Sequence, residues 1–192
     1  MKVAISTLVT PARKSGVGNY VINLLEGLQR IDRENEYYVF VGQDTKHLFT
    51  LTASNFHSVY LPFSHDPRWL MRPLYYLWQN SAIYFSLRHY QIDVLHLPNL
   101  TPLWMRFIPT VVTIPDVAEF LVPRYSKLRQ FYRKMLPSSI AKKSDNIITI
   151  SNSAREDIAK ITGCTLKKIE VTYLASSFND SLLQNLTYVA HD

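Results

Sequence analysis

The sequence predicts an α/β fold: a parallel sheet of about seven strands flanked by helices. Two observations predict it. Short β-branched and apolar segments alternate with longer helical ones along the first 175 residues. The strand segments are apolar on both faces, the mark of parallel strands covered on both sides.

The elements follow in order. Residues 2–6 form the first strand. A polar loop with Pro11, Arg13, Lys14 and Gly16 comes next. From Gly18, Val21, Leu24, Leu25, Leu28 and Ile31 fall on one helical face. Residues 37–41 are aromatic and β-branched, the second strand. Residues 45–53 are weakly helical, and 58–61 is the third strand. A long aromatic helix spans 68–88, with Pro73 tolerated only near its start. Strands at 93–97 and 109–114 follow. A basic helix covers 125–143, kinked or broken at Pro137. The sixth strand is 146–150. A helix at 151–161 has Ser151 or Ser153 as N-cap, with Glu156 and Asp157 in its first turn. The seventh strand is 169–173. After Ala175 the pattern fades into a polar tail, read as a linker start or a truncated end.

The bulk numbers set limits. The chain has 192 residues, 47% hydrophobic and 19% charged, which is globular composition. No apolar run reaches the ~20 residues of a membrane span. The N-terminus is too short and too weakly basic to read as a signal peptide. A single cysteine, Cys164, excludes an internal disulfide and a cysteine metal cluster. No metal site is expected, and the setting reads as cytoplasmic. The formal charge of +6 points to an anionic partner. Zinc spacing and ribonucleoprotein aromatic motifs are both missing, so nucleic acid is not the expected partner.

Ligands of such sheets bind outside the carboxyl ends of the strands. Six segments stand out on that ground or on charge. In SGVGNYVINLLEGL, Gly16 and Gly18 precede a helix, where N–H groups and the dipole attract anions. Val21 replaces the third glycine of a dinucleotide site, and an ordinary loop and N-cap is the competing reading. In DVLHLPNLTPLW, His96 ends a strand and is either a core histidine or a ligand contact, and Asn99 turns the chain. In TIPD, Asp116 either caps a turn or orients a ligand hydroxyl. In ITISNSAREDI, one serine caps a helix and a binding role would be additional. Residues 124–143 hold seven Lys or Arg and no acid, interleaved with apolar residues. That stretch and the arginines beside Trp69 in HDPRWLMRPLYYLW either lie on an anionic membrane or pack on the sheet with one solvated face.

Taken in order, GVGNYVINLLEGL, DVLHLPNLTPLW, VVTIPDVAEFLVP, NIITISNSAREDI and KIEVTYLA resemble the N-terminal half of a family 4 glycosyltransferase. The resemblance covers nearly residues 1–175. It implies one Rossmann-like half of a GT-B fold. It also implies transfer of a sugar from a nucleotide-sugar donor, with retention and without a metal or other cofactor. The N-terminal half mainly binds the acceptor, a glycan or a lipid-linked molecule. The donor site mainly belongs to a C-terminal half, whose basic and acidic residues 176–192 do not supply. A partner chain carrying that half, or a degenerate non-catalytic role, is the alternative. The motif match assigns Asp116 the catalytic position. Strand-end position and motif match assign Gly16, Gly18, His96, Asn99, Ser151 and Ser153 to substrate binding, and Arg13 and Lys14 join them on charge. Charge and aromatic pattern assign membrane contact to Arg124, Lys127, Arg133, Lys134 and Trp69. The family often has His-Asp where this chain has Pro115-Asp116, which removes an imidazole from the cleft edge.

Overall fold

A computed structural model describes residues 1–10, 15–64, 72–101, 106–117 and 136–174. Seven parallel strands form one sheet: β1 (Lys2–Ser6), β2 (Glu36–Val41), β3 (Phe56–Tyr60), β4 (Val94–Leu97), β5 (Thr110–Thr113), β6 (Asn146–Thr149) and β7 (Ile169–Val171). Their order is β3-β2-β1-β4-β5-β6-β7. The chain builds outward from β1 to β3, then returns to place β4 on the other side of β1. The Rossmann-like fold expected from the sequence is the fold observed. The reversal between β1 and β4 is the position where such sheets open a crevice at their carboxyl ends.

Alternation along each strand divides the core into two layers. Ile5, Tyr37, Val39, Val41 and Phe56 face α1 (Gly16–Ile31), which buries Val21 and Leu25 against them. Ala4, Phe40, Leu95, Leu97, Val112 and Ile147 face the other way. There they meet Ile83 and Leu87 of α2 (Arg72–His89), Ile140 of a helical stretch over 136–143, and Ile158 of α3 (Asn152–Thr162). Each fully buried side chain of this size contributes about 1.5–3 kcal/mol through removal from water. Two glycines are fixed by geometry. A Cβ on Gly42 would lie 2.5 Å from the Phe63 carbonyl oxygen. Gly163 ends α3 at φ 71, left-handed backbone that glycine adopts without penalty.

Several expectations need correction. Residues 45–53 are turns and coil, not helix. Gln29 explains why: its Nε2 donates to the Thr50 carbonyl at 3.1 Å, and its Oε1 accepts from Thr52 and Ala53 N–H at 2.7 and 3.2 Å. A buried amide thus satisfies the backbone that a helix would otherwise satisfy. It takes the inward position on α1, while Ile31 is 80% exposed. Strand β3 starts two residues earlier than expected, because Phe56 pairs with Tyr37 in register and stacks on its ring. Glu156 and Asp157 lie beyond the first turn of α3, because Ser151 is the cap and the helix begins at Asn152. Gly16 and Gly18 stand inside the first turn of α1, not ahead of it, because Ser15 is its cap. The basic segment 118–135 and the tail from 175 lie outside the described residues.

Candidate functional site

The carboxyl edge of the sheet collects the residues singled out by sequence. At the end of β1 the chain runs toward α1, whose N-terminus is capped by Ser15. The Ser15 Oγ accepts from the Gly18 N–H at 3.0 Å. One of the orphan donors of the helix start is therefore already met. Gly16 is exposed, and a Cβ placed on it meets nothing within 4 Å. Its φ is not positive either. Neither backbone nor packing requires glycine here, so the open space above this turn is what distinguishes it.

Behind that turn, three side chains from three elements meet. Tyr20 of α1 lies 3.2 Å from the Thr113 hydroxyl at the end of β5. Thr113 lies 2.9 Å from Nε2 of His96 near the end of β4. Register explains the meeting: His96 is opposite Ile5 on one side and Val111 on the other, on the α1 face. Either direction of donation satisfies the Thr113 hydroxyl, which offers one donor and two acceptor sites. Burial drives the His96 imidazole down to about 4 from its ordinary 6.5, so it is neutral near pH 7. Burial also pushes the Tyr20 hydroxyl up, opposed in part by its bond to Thr113. This is a neutral relay that locks α1 to the strand ends. It is not a charged catalytic pair.

The other predicted residues divide by role. Asn99 is buried as a clamp: its Nδ2 donates to the Val9 carbonyl at 2.9 Å, and its Oδ1 accepts from Thr101 at 2.8 Å. It joins the loops after β1 and β4 at the crevice. Asp116 is exposed just beyond β5. The strand ladder continues past β5 through Ile114, which donates to the Ile148 carbonyl at 2.8 Å. The Pro115 carbonyl then accepts from Thr149 at 3.2 Å. Pro115 thus spends its one backbone group on β6 and holds the Asp116 turn in place. Ser151 caps α3, its Oγ accepting from Ala154 at 3.1 Å, and Ser153 is exposed on the first turn. Arg13, Lys14, Trp69, Arg124, Lys127, Arg133 and Lys134 lie outside the described residues. Among the described residues, no group of three His, Cys, Asp or Glu is placed to hold a metal ion. Sequence reasoning missed Tyr20 and Ser15, and met Thr113 only as part of a strand end. Only register and helix phase reveal that a tyrosine two positions after Gly18 reaches β5.

A family model described as Glycosyltransferase Family 4 matches residues 14–175. The chain belongs to glycosyltransferase family 4. No curated protein matches it by sequence. Three solved structures share its fold. A sucrose-phosphate synthase from Thermosynechococcus elongatus is 13% identical, with a TM-score of 0.64 over 91% of this chain and 48% of that one. A lipopolysaccharide outer core galactosyltransferase, WaaB, in its apo form is 13% identical, with a TM-score of 0.55 over 93% of this chain and 47% of that one. A UDP-GlcNAc 2-epimerase from Methanocaldococcus jannaschii is 12% identical, with a TM-score of 0.52 over 100% of this chain and 50% of that one. The chain spans about half the length of each of the three. At this identity the likeness shows the fold alone. The fold neighbours are GT-B enzymes, which is the half-fold expected from the sequence.

Proposed function

We propose that this chain is the acceptor-side domain of a retaining glycosyltransferase of the hexosyltransferase type. The enzyme would move a sugar from a nucleotide-sugar donor to a glycan or lipid-linked acceptor. One observation carries the reading: the Tyr20–Thr113–His96 relay binds the open glycine turn of α1 to the ends of β4 and β5, at the crevice of the sheet. In a family 4 chain, the contact of α1 with the end of β5 supports assigning Gly16 and Asp116 to one carboxyl edge of the sheet. Gly16, exposed with nothing within 4 Å of a Cβ, leaves room for a phosphate or sugar, while the buried Gly18 is held by Ser15. First-turn N–H groups and the helix dipole favour the charge that develops on a leaving diphosphate. Asp116 orients an acceptor hydroxyl. Arg13 and Lys14, in the loop before α1, add positive charge. His96 acts by holding the site's geometry, since its imidazole is committed to Thr113.

The donor-binding half lies outside these 192 residues, in the same polypeptide or in a partner chain. The protein works on the cytoplasmic side of a membrane in polysaccharide biosynthesis. Neither a metal nor another cofactor enters the proposed reaction, and nucleic acid is not a partner. The alternative is a half that binds but does not transfer, favoured by Pro115 in place of a histidine. An Asp116→Ala substitution separates the two. With a donor-binding half present, it is expected to lower kcat/KM about 10- to 100-fold, the worth of one hydrogen bond to a charged group. Transfer that is undiminished by the substitution would remove Asp116 from the mechanism. No transfer by the unsubstituted protein with any nucleotide sugar would favour the non-catalytic reading.

A further inference from the structure

We infer that the outward face of α2 lies on an anionic lipid surface. The inference begins with helix phase. At 100° per residue, Gln79, Asn80, Ile83 and Leu87 share one side of α2, and all four are buried. Leu74, Leu77, Trp78, Ser81, Phe85 and Arg88 fall within about a 100° arc on the opposite side. That arc should be polar in a helix with one wet face. Instead Leu74 is 64% exposed, Leu77 47%, Trp78 65% and Phe85 67%. The helix buries a mixed side, Gln79 and Asn80 beside Ile83 and Leu87, and leaves an apolar side open. The only hydroxyl of the arc is turned inward to the helix backbone: Ser81 Oγ donates to the Leu77 carbonyl at 2.9 Å. A serine paired in this way presents no unmet donor to an apolar phase.

Charge selects the occupant. The sequence of α2 contains Arg72 and Arg88 and no aspartate or glutamate, and the whole chain carries +6. A second copy of the chain would set the same cationic segment against itself. An anionic surface meets it with opposite charge. The side chains also suit a lipid interface, where tryptophan and phenylalanine with leucine sit at headgroup depth and arginine at a helix end reaches back to phosphate. The apolar arc runs from Leu74 to Phe85, roughly 16 Å at 1.5 Å per residue, long enough to lie flat in the interface. No helix among the described residues is long and apolar enough to cross a membrane, so the helix rests on the surface. The surface extends the membrane contact expected around Trp69 and residues 124–134 along α2. It does not depend on the transfer reaction, and it would select the lipid-linked acceptor among those proposed above.

Flotation with vesicles tests the inference on the 192-residue protein. Wild-type protein is expected to float with vesicles of 70% phosphatidylcholine and 30% phosphatidylglycerol. It should bind at least tenfold less to pure phosphatidylcholine, and binding should weaken as salt screens the charge. The Leu77→Glu, Phe85→Glu double variant changes only exposed positions and is expected to keep the wild-type circular dichroism while losing flotation at least tenfold. Phe85→Trp is expected to float like wild type. Absence of flotation with the anionic vesicles overturns the inference, and so does equal flotation of the folded double variant. A concentration-dependent dimer in analytical ultracentrifugation that the double variant abolishes also overturns it, in favour of an interface between copies.

Discussion

Replacing Gly16 with valine is expected to lower sugar transfer by about 100-fold or more while leaving the fold intact. The two effects separate because of where Gly16 sits. A Cβ there meets no protein atom within 4 Å, so the added side chain costs nothing in packing. Gly16 has no positive φ, and glycine is the poorer helix former, so the variant should be as stable as the parent or more stable by about 0.3–0.5 kcal/mol. The branched side chain would instead occupy the space proposed for the phosphate or sugar. A reactant displaced by about 1 Å loses on the order of 100-fold in rate. Steady-state transfer with a donor-binding half present, beside a thermal melt of the same variant, reads both quantities. Gly16→Ala should lie between the parent and the valine variant in activity. Full activity in the valine variant would mean that no ligand approaches this turn.

The second large effect is on stability against pH, and it belongs to His96. Its folded imidazole is held down to about 4, whereas the unfolded chain binds that proton near 6.5. The group is neutral in both states above pH 7 and contributes no pH dependence there. As pH falls below 6.5, the unfolded state gains a proton that the folded state refuses, and stability is lost until pH reaches about 4. At about 1.4 kcal/mol per pH unit, the full loss is on the order of 3 kcal/mol. Denaturant melts between pH 7 and pH 4 measure it. His96→Gln should flatten this part of the profile and leave the loss due to carboxylates. An NMR titration that finds the His96 ring protonating near 6.5 would show that its imidazole is not buried away from water as described.

The elements were legible in the sequence where local pattern and tertiary fate agree. Parallel strands buried on both faces announce themselves as short apolar runs, and β4, β5 and β6 fell within one or two residues of expectation. Residues 45–53 were not legible, because a side chain outside the segment decides them. Gln29 satisfies their backbone from α1, at least 21 residues away in sequence, and no window of neighbouring residues contains that fact. For the same reason Ile31 looked like core, although Gln29 takes the inward position.

The site was legible in its parts but not in its wiring. Strand-end position identified His96, Asn99 and Asp116, and a glycine pair before a helix identified Gly16 and Gly18. Their roles came only from register. Asn99 is a clamp between two loops, and His96 is bonded to a threonine that only its α1-facing register reveals. Pro115 shows the same limit. Its ring lacks a donor, as the sequence says, yet its carbonyl is held by Thr149, which fixes the turn carrying Asp116. The missing imidazole therefore does not leave the turn loose.

The central claim is that these residues form the acceptor side of a transferase whose donor site lies elsewhere. Calorimetric titration of the 192-residue protein with nucleotide sugars tests it most directly. The account predicts no saturable binding of any nucleotide sugar by this chain alone. Tight one-to-one binding of a nucleotide sugar would contradict it, because the donor site would then lie within these residues.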